Sequence, residues 1–248
     1  MEKVYCKEFI IGQDAVDRFG RLKPSRLLLM AQQVAGDHST AMGLTYEALA
    51  EQGLFWAVIR NRLQITRLPR EGETIRMETW PMPTTRTAYP RSTIAYDAEG
   101  NELFRTVSLW ILMSFESRAM VLPAKSGVTV DGTLRGLELA SPRSLAVKPM
   151  VNTLERTVCF TDLDRNGHMN NARYLEWIDD LLPSDFHQTH PIADVTLCYV
   201  NEAREGQSLQ VSWDTDNQGA LLVEIQRPTE TEPERIFAAR LTYGNGVL

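Results

Sequence analysis

The sequence predicts an α+β fold in which one unit occurs twice, each unit an antiparallel sheet wrapped around a central helix. Three observations carry that expectation: a segment recurs, each copy passes from a tight turn into an amphipathic helix, and each is followed by long strand-like runs. The copies are VDRFGRLKPSRLLLMAQQVA from Val16 and LDRNGHMNNARYLEWIDDLL from Leu163. They align Asp17 with Asp164, Arg18 with Arg165, Gly20 with Gly167, Arg26 with Arg173 and Leu28 with Leu175, at an offset of 164 − 17 = 147 residues.

In the first copy Pro24 falls in the first helical turn, where its missing N–H costs nothing. Leu28, Ala31 and Val34 or Ala35 follow at helical spacing, and Gly36 is the expected stop. Four strand-like runs come next: FWAVIRNRLQITRL, TIRMETWP, TAYPRSTIAYD and LFRTVSLWILMSF. Gly72, the Pro81 to Pro83 stretch and AEGN punctuate them. A segment rich in proline and glycine then reads as a linker, part of which can run along a face of the fold. In the second copy Ala172, Leu175, Ile178 and Leu182 form the buried stripe and Pro183 ends the helix. The runs VTLCYVNEA, SLQVSWDT, ALLVEIQR and RIFAARLTY follow, separated by EGQ, DNQG and PTETEP. The expected organisation is a unit over 1–125, a linker over 126–150 and a unit over 151–248.

Of the 248 residues, 43% are hydrophobic and 23% charged, the balance of a soluble globular chain. The net charge of −6 argues against general binding to nucleic acid or to an anionic membrane surface. No run of 18 apolar residues is present, and the first twenty residues do not read as a signal peptide. The three cysteines, Cys6, Cys159 and Cys198, are widely spaced with no CxxC pair, which suits a reducing cytosol and gives no cysteine metal site. His187 and His190, in HQTHP, lack an HExxH context and read as exposed loop residues rather than metal ligands. His38 reads as a turn residue after the first helix. The absence of GxSxG and of a glycine-rich phosphate loop speaks against serine hydrolase and nucleotide chemistry. No cofactor or metal is expected.

The copies differ where chemistry is expected. The first turn reads DRFGR, Asp17 to Arg21; the second reads DRNGH, Asp164 to His168. Phe19 therefore stands opposite Asn166, and Arg21 opposite His168. Only the second turn offers an amide, an imidazole and a carboxylate together.

The stretch LDRNGHMNNARYLEWI resembles the signature of the acyl-ACP thioesterases, a D-x-N-x-H-x-N-N run entering a helix. FWAVIRNRLQITRLPREGETIRMETWP, SLWILMSFESRAMVLP and LCYVNEAREG are similar to further segments of that family, in the same order. The resemblance implies two tandem hot-dog domains, the second catalytic, with Asp164, Asn166, His168 and Glu202 gathered at one site. In the plant members a cysteine follows the glutamate; here that position is Ala203, so a thiol mechanism there is excluded. Strand alternation would put Cys198 on the face of Glu202, but a free cysteine at such a place reads as a small buried hydrophobe.

With no nucleophilic side chain, water is the expected attacker on a thioester carbonyl. Glu202 is the first choice of base and His168 the second, while Asn166 and the amides at the helix start handle the oxyanion and Asp164 orients its neighbours. Met30, Val34, Trp56, Val58 and Met77 are the expected acyl-chain lining. Arg86, Arg91, Arg143 and Lys148 are the cations expected to meet an acidic acyl carrier protein. An acyl-CoA thioesterase, a hot-dog dehydratase or hydratase, and a non-catalytic acyl-binding protein stay open as alternatives, as do monomer and homodimer.

Overall fold

A computed structural model describes residues 3–146 and 148–244, so residues 1–2, 147 and 245–248 of the expected spans lie outside the described residues. The chain forms two compact units, Met1–Pro142 and Arg143–Leu248.

The N-terminal unit begins with β1 (Tyr5–Ile10), a 3-10 turn over Gln13–Ala15, α1 (Pro24–Ala41) and α2 (Tyr46–Glu51). Strands β2 (Leu54–Ile65), β3 (Thr74–Pro81), β4 (Tyr89–Tyr96) and β5 (Glu102–Ser114) follow, then β6 (Met120–Val121) and the single turn α3 (Pro123–Ser126). The sheet order is β1-β3-β4-β5-β2, antiparallel throughout, with β6 on β5. Helix α1 packs on β1 and β3, burying Leu27, Leu28 and Val34 in a core that also holds Met77, Trp80 and Phe104.

The C-terminal unit repeats this plan. It contains β7 (Asn152–Thr157), a 3-10 turn over Phe160–Asp162, α4 (Arg173–Asp179) and α5 (Ser184–Thr189). Strands β8 (Ile192–Tyr199), β9 (Ser208–Thr215), β10 (Leu221–Arg227) and β11 (Glu234–Tyr243) complete it. Its order, β7-β9-β10-β11-β8, matches that of the first unit strand for strand. Tyr174 of α4 stacks on Phe237 of β11 at 4.4 Å between ring centroids.

Three expectations are corrected. Helix α1 runs through Gly36, which costs about 1 kcal/mol relative to alanine, and 18 residues of packed helix absorb that. The helix stops at Ala41, where Gly43 takes the left-handed φ of 78° that a side chain would resist. The second helix is shorter than its stripe suggested: α4 has seven residues, and Pro183 caps the separate helix α5 rather than ending α4. Most of the segment from 127 to 142 lacks regular structure but lies against the first unit. There Trp80 Nε1 donates to Glu138 Oε1 at 3.0 Å, Arg105 Nη1 to the Leu137 carbonyl at 2.8 Å and Thr133 N to the Pro81 carbonyl at 2.9 Å.

Candidate active site

The DRNGH turn is closed by its own backbone. Asp164 N donates to the His168 carbonyl at 2.8 Å and Gly167 N to the Asp164 carbonyl at 3.0 Å, with Gly167 at φ 75°. Asp164 Oδ1 accepts from Asn166 N at 2.8 Å and from His168 N at 3.3 Å. The DRFGR turn of the first unit is built the same way. Asp17 N donates to the Arg21 carbonyl at 2.7 Å, Asp17 Oδ1 accepts from Phe19 N and Arg21 N at 2.8 and 3.0 Å, and Gly20 has φ 71°. An aspartate that collects the N–H groups of a left-handed turn is what either turn needs in order to close.

The residue after each turn ties it to a distant segment. Met169 N donates to the Ala203 carbonyl at 2.8 Å; in the first unit Leu22 N donates to the Pro69 carbonyl at 2.7 Å. Ala203 thus corresponds to Pro69, and Glu202 to Leu68. The backbone bond to Ala203 brings Glu202 beside the turn, with its Oε2 3.1 Å from His168 Nε2. The His168 side chain is 19% exposed and that of Glu202 41%, so the pair sits at a wet rim rather than in the core. At the equivalent point of the first unit, Arg21 closes back on Asp17, with Nη2 2.9 Å from Oδ2, and Leu68 offers no acid. The acid–imidazole pair therefore exists on one of two otherwise matching turns.

Two arginines absent from the sequence reading flank Glu202. Arg204 Nη2 lies 3.9 Å from Oε2, and Arg227 Nη1 donates to the Glu202 carbonyl at 3.4 Å. Arg204 stands two residues from Glu202 in AREG and was open to notice; Arg227 arrives from the end of β10, which the sequence does not place.

Asn166 is exposed beside the pair, its Nδ2 only 3.4 Å from Asp164 Oδ2, a weak bond that leaves the amide free to turn toward a ligand. The start of the helix is further away and partly engaged. Helix α4 opens at Arg173, Ala172 N already donates to Asn170 Oδ1 at 2.9 Å, and Arg173 N donates to the Asn170 carbonyl at 2.9 Å. Those two amides are thus taken from the oxyanion role. Cys198 is buried at 4% exposure with Sγ 3.6 Å from the Arg143 carbonyl. Strand β8 ends at Tyr199, before Glu202, so strand alternation does not relate the two residues.

The N-terminal unit holds a cavity of about 210 Å³, lined in large part by apolar groups that include Met42, Leu44, Trp56, Tyr89, Trp110 and Val130. Of the expected acyl-chain residues Trp56 lines it; Val34, Val58 and Met77 are packed core, and half-buried Met30 is not part of the wall. Arg91, expected at a docking surface, is 8% exposed and lines this cavity, which withdraws it from that role. Burial pushes its guanidinium down from 12.5 to about 10. His38, expected in a turn, lies within α1 at 2% exposure, its Nδ1 3.1 Å from Arg91 Nη1. Arg86, Arg143 and Lys148 are exposed. His187 and His190 belong to α5 and its cap and are half-buried: His187 Nε2 lies 2.8 Å from the Asp179 carbonyl and the His190 ring stacks on Phe186 at 4.4 Å.

Comparison with known proteins agrees with this geometry. Residues 2–124 match the acyl-ACP thioesterase N-terminal domain and residues 148–238 the acyl-ACP thioesterase C-terminal domain. The chain is 27% identical over 226 residues to a chloroplastic palmitoyl-acyl carrier protein thioesterase of Gossypium hirsutum, across 84% of this chain and 54% of that protein. It therefore spans about half the length of the curated relative it matches. A solved acyl-ACP thioesterase from Bacteroides thetaiotaomicron superposes with a TM-score of 0.84 at 25% identity, over 97% of this chain and 98% of that one. A putative oleoyl thioesterase from Lactobacillus plantarum gives 0.80 at 26% identity, over 97% and 95%. The fold is the double hot-dog of those enzymes, α+β with an antiparallel sheet in each half. With both halves matched by its domain models, the chain belongs to the acyl-ACP thioesterase family.

Proposed function

We propose that this chain hydrolyses the thioester of a fatty acyl group carried on acyl carrier protein, releasing the free fatty acid and the carrier's thiol. The observation that supports this most directly is the contact of His168 Nε2 with Glu202 Oε2 at 3.1 Å, on the one turn of two that carries such a pair. In this mechanism a water molecule attacks the thioester carbonyl. Glu202 takes its proton, with His168 holding the carboxylate in place. Negative charge develops on the carbonyl oxygen, within the reach proposed for the Asn166 amide. The tetrahedral intermediate collapses with cleavage of the C–S bond, and the proton passes to the leaving sulfur through His168. Asp164 shapes the turn that presents both neighbours. No side-chain nucleophile is required, in keeping with Ala203 beside Glu202 and with Cys198 buried.

Exposed Arg86, Arg143 and Lys148 are the proposed contacts for an acidic carrier. Cys6 and Cys159 are exposed free thiols, which supports a reducing, cytoplasmic setting. Among the described residues no helix is long and apolar enough to cross a membrane.

The test is thiol release from acyl-ACPs and acyl-CoAs of matched chain length, with the native protein and His168→Ala. Faster release from the carrier protein, lost in the variant, is the expected result. Preference for coenzyme A would keep the site and change the substrate. No release from either series would overturn the reading.

A further inference from the structure

The cavity of the N-terminal unit is apolar except at one wall, and that wall is unusual. Cross-strand partners place Arg91 opposite Ser108 and Ser108 opposite Asn61, with Thr79, Thr93 and Thr106 in the next row on the same face of the sheet. All of these but Ser108 are buried, on a face where a hydrophobic core is the norm. Arg91 is the cation of this belt. Its Nη1 contacts His38 Nδ1 at 3.1 Å and Thr79 Oγ1 at 3.3 Å, and it forms no ion pair with a carboxylate among the described residues.

A guanidinium carries five N–H donors. The Nη1 contacts leave the Nε–Nη2 edge, a fork that matches a carboxylate with two parallel hydrogen bonds. A buried cation without a counter-charge is costly, and with a pKa of about 10 Arg91 keeps its charge at neutral pH. Gln32 also lines the cavity, and its Nε2 is buried without a partner, a second donor at the same wall. A hydrocarbon terminus pressed against Arg91 would leave these donors unmet.

We propose that this cavity binds a free carboxylate-headed amphiphile, a fatty acid anion, with its head on Arg91 and Gln32 and its tail among Trp56, Tyr89 and Trp110. The occupant is an acid rather than the methyl end of a thioester chain. Where the chain acts as a thioester hydrolase, the product is of this class, so the unit retains or senses the acid released. Binding itself does not depend on turnover.

The test is calorimetric titration of the intact protein with decanoate, decanol and methyl decanoate. Decanoate is expected to bind at least about tenfold more tightly than the two neutral compounds, about 1.4 kcal/mol, and Arg91→Gln is expected to erase that preference. Gly36→Leu supplies a second handle: Gly36 lines the cavity, a Cβ built there meets nothing within 4 Å, and leucine favours the helix. That variant should lose decanoate binding while staying folded. His168→Ala should keep it, which separates this site from the turn in the C-terminal unit. Equal binding of acid and alcohol, a preference that survives Arg91→Gln, binding that survives Gly36→Leu, loss of binding in His168→Ala, or no binding of decanoate would each overturn the proposal. None of these results bears on whether acyl-ACP is hydrolysed.

Discussion

Replacing Glu202 with glutamine separates catalysis from stability at the turn, because the substitution keeps the shape of the side chain and removes its charge. The carboxylate lies 3.1 Å from His168 Nε2 and 3.9 Å from Arg204 Nη2, on a side chain 41% exposed. Unit charges at such a distance attract by about 1 kcal/mol in water-like surroundings, and exposed pairs return about 0–1 kcal/mol of net stability once side-chain ordering is included. Glu202→Gln should therefore shift the free energy of unfolding by no more than about 1 kcal/mol. Loss of a general base costs about 10²–10⁴ in rate, or about 2.7–5.5 kcal/mol of transition-state stabilisation. The catalytic effect should exceed the structural one several-fold. The assay pairs kcat and kcat/KM for thiol release from acyl-ACP with a urea titration of the same preparation. Turnover within about threefold of the native protein, or a loss of stability large enough to explain the loss of turnover, would refute the role given to Glu202.

Two other perturbations test the reasoning elsewhere. Introducing Phe19→Asn and Arg21→His into the His168→Ala protein should restore no thiol release, because Leu68 stands where the acid would be needed; recovered turnover would show that the acid is dispensable. In the N-terminal unit, burial raises the Glu78 carboxyl, but hydrogen bonds from Arg135 and Arg76 outweigh it and hold the group below its ordinary 4.5. The resulting stabilisation is complete above pH 4.5 and is lost as pH falls through the lower folded-state value. Glu78→Gln should destabilise the protein by about 1–3 kcal/mol at pH 7 and by less at pH 3, read as urea midpoints at the two values; an equal loss at both would contradict the depressed carboxyl.

The strands of each unit were legible where residue chemistry and burial coincide. TIRMETWP and SLQVSWDT are β3 and β9 end to end, because glycine turns bound them and their apolar positions alternate. Strands β1 and β7 escaped notice because they are sheet edges, pairing on one side with β3 and β9 and presenting half-buried, mixed side chains. Helix α5 was hidden in HQTHP, whose histidines are held by Asp179 and Phe186, contacts that composition does not encode. The pairing of His168 with Glu202 was expected from resemblance, but their closeness depends on a backbone bond from Met169 to Ala203 across a separation of 203 − 169 = 34 residues. The cavity wall was misread for a related reason. Arg91 follows Pro90 in a stretch that looks like a charged surface turn, and only the pairing of β4 between β3 and β5 turns its side chain inward.

Comparison of the two turns also sorts the four site residues by what each is for. Asp17 and Asp164 accept the same pair of backbone N–H groups, and Gly20 and Gly167 adopt the same left-handed φ. The first turn does this with neither imidazole nor acid beside it, so an aspartate at this position is explained by the turn alone. Asp164 is accordingly a positioning residue, and its loss would act through the geometry of Asn166 and His168. No such structural account covers the other three. Phe19, Arg21 and Leu68 satisfy the same backbone with an aromatic ring, a guanidinium closing on Asp17 and an apolar side chain. A turn that folds equally well on those residues does not call for an amide, an imidazole and a carboxylate. What Asn166, His168 and Glu202 add is a hydrogen-bond donor and a coupled acid–base pair at a solvent-reached rim, the chemistry that hydrolysis of a thioester by water requires.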